Sequence, residues 1–377
     1  MRIGIEAQRI FRKKKHGMDI VVLEVLRELQ KMNTSDEYFV YAQPDADMTA
    51  LQPSDNMKLQ ISKAASYPVW EQKILPESYK NDKVDLLHCT SNTAPISTKI
   101  PLVVTIHDII YLEKWMITEG TYYQRFGNLY RRWNVPKIAR KAEMIITVSD
   151  YERERIIEGL KIPENRVKTV YNACGKHFTP DATPQELKAF KEKMNLPDKF
   201  ILFLGNTDPK KNLPNVLKSI GILHQRGQLD FTLVMPDFGK EHLLSILKAQ
   251  NNEHLMNNIM LTGYIPNQEL PNLYRLAQLF LYPSLRESFG IPILEAMGCG
   301  IPVITSNTSA MPEVAGRDAI LIDPTQPEEI AQMIVSVLNN TALRAKTIAY
   351  GIERASQFSW EKTANQVLDI YRDILNR

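Results

Sequence analysis

The stretch Ser284–Pro312, SLRESFGIPILEAMGCGIPVITSNTSAMP, reads as a loop, a short helix and the entry to a strand. Just before it, Leu279–Tyr282 has the composition of a buried strand. The loop therefore leaves a strand's C-terminal end, where open α/β sheets bind their ligands. Gly290 allows a close backbone approach or an unusual backbone conformation. Pro292 suits the first helical turn, where its missing N–H costs nothing. The helix runs to about Met297 and stops near Gly298 and Gly300. Its first amides and positive dipole end make a natural phosphate site.

Outward from this stretch, short apolar runs alternate with helical patterns, the signature of βα units around parallel sheets. One series of expected strands is Ile3–Ile5, Tyr38–Tyr41, Leu86–His88, Leu102–Ile106, Met144–Val148 and Val167–Tyr171. A second is Phe200–Leu204, Phe231–Met235, Ile259–Leu261, Leu279–Tyr282, Pro302–Thr305 and Ala319–Ile322. Between them, Cys174–Asp198 holds Pro180, Pro184, Pro197 and many charges, and reads as a linker. At roughly 150 residues per domain, 377 residues suggest two domains. The expected division is 1–175, 176–357 and a terminal helix in 358–377. That helix carries an apolar stripe, Ala364, Val367, Leu368, Ile370, Tyr371 and Leu375, which requires a surface to pack on. The stripe does not say whether that surface belongs to the second domain or the first.

Composition is that of a folded protein, 44% hydrophobic and 24% charged. A formal net charge of +3 gives no sign of a nucleic-acid partner. Cys89, Cys174 and Cys299 are too sparse for a disulfide framework or a zinc site and read as reduced thiols. The strand-like start MRIGIEA argues against a signal peptide, and no apolar run is long enough to span a bilayer. The expected location is the cytoplasm.

Glu287 and Glu295 bracket the helix entrance with seven residues between them. Carboxylates accept hydrogen bonds from sugar hydroxyls, including the paired hydroxyls of a ribose. In isolation the two would read as a loop charge and a solvated helix residue. Beside Gly290, Pro292 and the strand entry that follows, they read as ligand contacts. A second element, Gly205-Asn206-Thr207-Asp208-Pro209-Lys210-Lys211-Asn212, follows the strand Phe200–Leu204 and opens a helix near Pro214. A lysine beside helix-terminal amides is placed to neutralise a diphosphate leaving group.

These elements resemble glycosyltransferase family 4, retaining transferases of the GT-B fold. The resemblance extends over nearly the whole chain. It rests on the Glu287–Glu295 pair, PSLRESFGIPILEAMGCGIPVITS, EVAGRDAILIDP at Glu313–Pro324, LFLGNTDPKKNL at Leu202–Leu213 and TGYIPNQELPNLYRLA at Thr262–Ala277. It implies two Rossmann-like α/β domains facing a central cleft, with the donor held mainly by the second. Glu287 is then expected at the donor sugar and Glu295 at the nucleotide ribose. Ser288, Phe289, Gly290 and Ile291 would approach the sugar or diphosphate. Ser288 stands where the family usually has glycine. Gly205 and Asn206 join the donor loop, with Asn206 where many relatives have arginine. Lys210 replaces an arginine, which leaves Lys211 with more of the diphosphate charge. Tyr264 and Ile265 are expected to flank the base through their backbone.

On the acceptor side, Arg9–Gly17 resembles the family's glycine-containing loop, with Gly17 in the glycine's role. Arg12, Lys13, Lys14 and Lys15 are less typical and read either as a solvated loop or as contacts to an acceptor phosphate. His107 and Asp108 end the strand of VVTIHD. The resemblance puts the histidine at the reacting sugar and makes Asp108 an acceptor contact. His88 and Asn92 are further candidates. Tyr122–Lys141 is basic and aromatic, suited to an anionic membrane or a lipid-linked acceptor, and also to an ordinary packed helix. Asp45-Ala46-Asp47 resembles a metal-binding triplet, but the family needs none there; no metal or other cofactor is expected.

The activity implied is retaining transfer of a hexose from a nucleoside diphosphate sugar to a glycan or lipid-linked glycan. Mannose from GDP-mannose is the specific expectation, from the likeness of GNTDPKKN to a form common among mannosyltransferases, and a surface polysaccharide is the expected product. Rival readings are a nucleotide-sugar epimerase, a GT-B phosphorylase and a catalytically silent nucleotide-sugar-binding subunit.

Overall fold

The computed structural model describes residues 1–32, 35–112 and 122–376. The chain forms two compact units, Met1–Asn172 together with Trp360–Arg377, and Ala173–Ser359. The first unit thus ends at Asn172 where 175 was expected, and the second at Ser359 where 357 was expected.

The first unit contains β1 (Arg2–Glu6), β2 (Glu37–Ala42), β3 (Met57–Ile61), β4 (Leu86–Cys89), β5 (Leu102–Thr105), β6 (Met144–Thr147) and β7 (Val167–Thr169). They form one parallel sheet in the order β3-β2-β1-β4-β5-β6-β7. Alternate side chains feed two cores, as expected of a parallel sheet covered on both faces. Ile3, Ile5, Val40, Leu86 and Val103 face one core; Phe39, Leu87, Leu102 and Val104 face the other. β3 is absent from the expected strands. It is an edge strand with only Met57 buried, so its sequence lacks the apolar run of the inner strands.

The last helix, Trp360–Leu375, completes the first of these cores. Ala364, Val367, Leu368, Ile370, Tyr371 and Ile374 pack with Val22, Leu26 and Leu29 of the helix Gly17–Lys31. Thr363 Oγ1 also donates to the Tyr171 carbonyl at 2.7 Å.

The second unit contains β8 (Phe200–Phe203), β9 (Thr232–Pro236), β10 (Ile259–Gly263), β11 (Leu279–Tyr282), β12 (Val303–Ser306) and β13 (Ile320–Ile322). The order is β10-β9-β8-β11-β12-β13, again all parallel. Strand order reverses between β8 and β11, and the loops at such a switch point diverge to opposite faces and leave a crevice. Among the described residues, no helix is long and apolar enough to cross a membrane.

Candidate donor site and the His107 cluster

The two loops singled out in the second unit leave β8 and β11, the pair that flanks its switch point. The β8 loop turns through a short 3-10 helix, Pro209–Lys211, which Asp208 caps by accepting from the Lys210 amide at 3.1 Å. Asn206 Oδ1 accepts from the Asp208 amide at 2.9 Å and so shapes the turn after Gly205. Asn212 follows at φ 63°, in the left-handed region that asparagine tolerates better than most residues. Its side-chain amide donates to the carbonyls of Pro283 (2.9 Å) and Pro324 (2.7 Å). The Leu285 amide donates to the Lys210 carbonyl at 2.7 Å. The loops are therefore stitched together by backbone and amide groups before any charge is considered.

Their charged side chains then meet. Lys211 Nζ donates to Glu287 Oε1 at 2.6 Å and to the Tyr282 hydroxyl at 2.8 Å, and lies 4.8 Å from the Tyr282 ring centroid. Both ionic side chains are largely shielded, Lys211 at 16% and Glu287 at 12% exposed. Burial alone would raise the Glu287 carboxyl, but the nearby charges of Lys211 and Lys210 outweigh it and hold the group below the usual carboxylate range. Glu287 is also clamped through its backbone. Its amide donates to Ser309 Oγ at 3.0 Å, the Ser309 hydroxyl donates to its carbonyl at 2.5 Å, and Arg286 Nη1 donates to the same carbonyl at 3.1 Å.

Gly290 stands at φ 100°, where a side chain would be strained, and from there the chain enters the helix Ile291–Gly298 with Pro292 in its first turn. Glu295 lies inside that helix, 8% exposed, and accepts from the buried Tyr274 hydroxyl at 2.9 Å. Burial pushes its carboxyl up to about 7, partly opposed by the Tyr274 bond. The two glutamates thus have opposite electrostatics: the lysines lower the Glu287 carboxyl, whereas desolvation raises that of Glu295. Phe289 is buried, its ring centroid 6.0 Å from that of Phe358. Ser288 and Ile291 are half-buried. Past β10, Tyr264 is 50% exposed while Ile265 is buried.

In the first unit, His107 and Asp108 follow β5. The His107 ring is buried, with Nε2 bonded to the Thr90 carbonyl at 2.9 Å, so that nitrogen carries the proton. The His107 amide donates to Asn92 Oδ1 at 2.7 Å, and Asn92 stands at φ 70°. Burial lowers the His107 pKa, against the bond to Thr90 and the charge of Asp108, which raise it. This favours the neutral imidazole, in which Nδ1 is the acceptor. Asp108 Oδ1 accepts from the Ile110 amide at 3.1 Å. His88 is more deeply committed, bonded to the Tyr371 hydroxyl (2.6 Å) and Thr105 Oγ1 (2.8 Å); burial and the neighbouring His107 bring its pKa down to about 3. Gly17 opens the helix Gly17–Lys31, where a capping bond runs from the His16 amide to Asp19. Lys15 pairs with Asp47 at 2.5 Å, which engages one lysine of the basic loop and one aspartate of the acidic triplet.

Several participants carry no sequence signal. Tyr282 and Tyr274 look like core aromatics, and Ser309 is one small polar residue among others. The same holds for Glu71, fully buried in the first unit, which accepts from Tyr67 (2.7 Å), Thr93 (2.5 Å) and Tyr130.

With this geometry in view, comparison with known proteins gives consistent matches. Residues 184–354 match the model "Glycosyl transferases group 1", and residues 16–174 match "Glycosyltransferase Family 4". The O-antigen chain mannosyltransferase B of Escherichia coli is 30% identical over 273 residues, 72% of this chain and 70% of that protein. A serotype-specific mannosyltransferase WbdA of Escherichia coli is 30% identical over 65% of this chain, but only 31% of that much longer protein is matched. Among solved structures, Anabaena Alr3699/HepE in complex with UDP and glucose superimposes with a TM-score of 0.76 at 17% identity, covering 99% of both chains. Sucrose-phosphate synthase from Thermosynechococcus elongatus does so with a TM-score of 0.77 at 18% identity, covering 100% of this chain and 99% of that one. At these identities the structural likeness speaks for the fold alone.

Proposed function

The chain belongs to glycosyltransferase family 4, and from that premise we propose that it transfers mannose from GDP-mannose, with retention, to a glycan or lipid-linked glycan acceptor of a surface polysaccharide. The observation that carries the reading is the shielded Lys211–Glu287 pair at the switch point, beside the N-terminus of Ile291–Gly298. An ammonium has three donors; Glu287 and Tyr282 engage two of Lys211's, leaving one for a phosphate oxygen. Lys211, Lys210 and the helix amides together stabilise the charge that develops on the diphosphate as the glycosidic bond breaks. Glu287, held ionised, accepts from a hydroxyl of the transferred sugar. Glu295 accepts from the ribose, and Tyr264 and Ile265 offer backbone groups to the base. Neutral His107 accepts a hydrogen bond from a sugar hydroxyl and is not required to act as a base. The names of the Escherichia coli relatives support mannose as the sugar and a surface glycan as the product class. Positive charge from lysines and amides makes transfer independent of divalent ions.

A thermal-shift screen of nucleotide-sugars tests the donor, since a ligand at 100 times its Kd stabilises a fold by about 2.7 kcal/mol. GDP-mannose is expected to give the largest shift and, with a mannan-type acceptor, an α-linked product in the presence of EDTA. Turnover of the nucleotide-sugar without acceptor, an inverted product, or activity that returns only with magnesium or manganese would each overturn the corresponding part of the reading.

A further inference from the structure

Glu6 ends β1 with its side chain fully buried. A carboxylate taken out of water costs stability unless other bonds replace its hydration. Here the backbone supplies them. Oε1 accepts from the Gln8 amide at 3.0 Å, and Oε2 accepts from the Thr90 amide at 3.1 Å. Thr90 is tied a second time, its hydroxyl donating to the Glu6 carbonyl at 2.7 Å. The register that sets Glu6 beside Cys89 brings Thr90, the first residue after β4, within reach. The carbonyl of this same Thr90 accepts from His107 Nε2 at 2.9 Å. Three neighbouring strands, β1, β4 and β5, thus lead into one chain of bonds, Glu6 to Thr90 to His107. The β4 loop holds the histidine's backbone as well, through Asn92 Oδ1.

We propose that Glu6 is a positioning residue, which fixes Thr90 so that the Thr90 carbonyl holds His107 as the Nε2-protonated tautomer. Nδ1 is then left to accept from a sugar hydroxyl. The proposal rests on the reading of His107 as a sugar contact, and the experiment below separates the two. The sheet itself does not call for a charged side chain here, since β1 and β4 already pair along Ile3–Glu6 through the main chain. Two backbone amides directed at one side chain do call for two acceptor oxygens. Glutamine offers one oxygen and turns its NH2 group against the other amide, and an apolar residue leaves both amides unpaired. Either change frees Thr90 to rotate, and with it the carbonyl that selects the tautomer.

Nuclear magnetic resonance of the full chain, isotope-labelled at the histidine nitrogens, tests it. His107→Ala identifies the His107 signals among the seven histidines. In the wild type they should report one neutral tautomer, protonated at Nε2. Glu6→Gln should move them toward a mixture of tautomers, while His88, held by Tyr371 and Thr105, keeps its own signals. Transfer should fall mainly in kcat, by roughly tenfold, within the ~100-fold that a misplacement of about 1 Å can cost; nucleoside diphosphate affinity should not change. In a His107→Ala background the same substitution should cost little, because effects that act through one group are not additive. If Glu6→Gln melts too early to assay, Thr90→Val takes its place. It removes the hydroxyl bond and keeps the amide one, so the same shift is expected at smaller size. Unchanged His107 signals in the variant assayed overturn the inference. So does an equal loss of kcat with and without His107. If His107→Ala transfers at the wild-type rate, the sugar-contact reading falls, and the spectra alone then decide whether Glu6 sets the tautomer.

Discussion

Lys211 and Glu287, separated by 76 positions in the chain, form a shielded ion pair of 2.6 Å where the β8 and β11 loops meet. Removing the lysine has two separable consequences. Lys211→Ala should weaken nucleoside diphosphate binding by roughly 10–150-fold, the loss of about 1.5–3 kcal/mol for a charged hydrogen bond. It also leaves Glu287 shielded without its counter-charge. The folded pKa of Glu287 lies below its ordinary 4.5, so the pair's stabilisation is present above that pH and is lost as pH falls through the lower folded value. The variant should therefore lose stability at neutral pH and melt with a flatter acid limb than the wild type. Calorimetric titration and urea midpoints measured across pH check both; unchanged affinity removes Lys211 from the diphosphate.

Glu295 has the opposite sign. Burial raises its carboxyl from the ordinary 4.5 to about 7 in the fold. Between those values the native state holds the extra proton, so the stability linked to this group falls as pH rises through the window. Glu295→Gln should flatten that dependence and melt above the wild type at pH values beyond about 7. A ribose hydroxyl donating to Glu295 favours the ionised form, so wild-type nucleotide binding should tighten as pH rises through the same range, with proton release. Binding by Glu295→Gln should be weaker and nearly independent of pH. Isothermal titration in buffers of different ionisation enthalpy reads the proton; a pH-dependent Gln variant would place the linkage elsewhere.

Glu287→Gln separates the sugar from the nucleotide. The free nucleoside diphosphate lacks the transferred sugar, so its affinity should not fall and should tighten somewhat as Lys211 loses a competing carboxylate, whereas transfer falls mainly in kcat if the contact strengthens as the glycosidic bond breaks. Steady-state kinetics beside titration of the free nucleotide decides it. A loss of nucleotide affinity as large as that of Glu295→Gln would contradict this division.

Tyr371 tests the attachment of the last helix. Its hydroxyl lies 2.6 Å from His88 Nδ1 inside the first unit, and both rings are buried. Tyr371→Phe leaves the imidazole nitrogen without that partner and should cost about 1–3 kcal/mol. The shift in urea midpoint measures it, and nucleotide affinity in the second unit should not change. An unaltered midpoint would mean the helix does not rest on His88.

Periodicity alone was enough to read most of the architecture from the chain. Inner strands of a parallel sheet are apolar on both faces, so they stood out between amphipathic helices, as did the short edge strands β7, β10 and β13, while the edge strand β3, with only Met57 buried, did not. Local backbone chemistry marked the loops after β8 and β11 as well. A glycine was required where Gly290 takes φ 100°, and a proline was tolerated only in the first turn at Pro292. Which groups meet was a different matter. Nothing local joins Lys211 to Tyr282, Tyr274 to Glu295 or Ser309 to Glu287; these contacts follow from strand order, which brings β8 beside β11 and β11 beside β12. The last helix shows the same limit. Its apolar stripe demanded a surface, because an amphipathic helix gains most of its stability from burial. Several surfaces offer comparable apolar area, and only the assembled sheet, with Val22, Leu26 and His88 in position, determined that Tyr371 would be buried in the first unit.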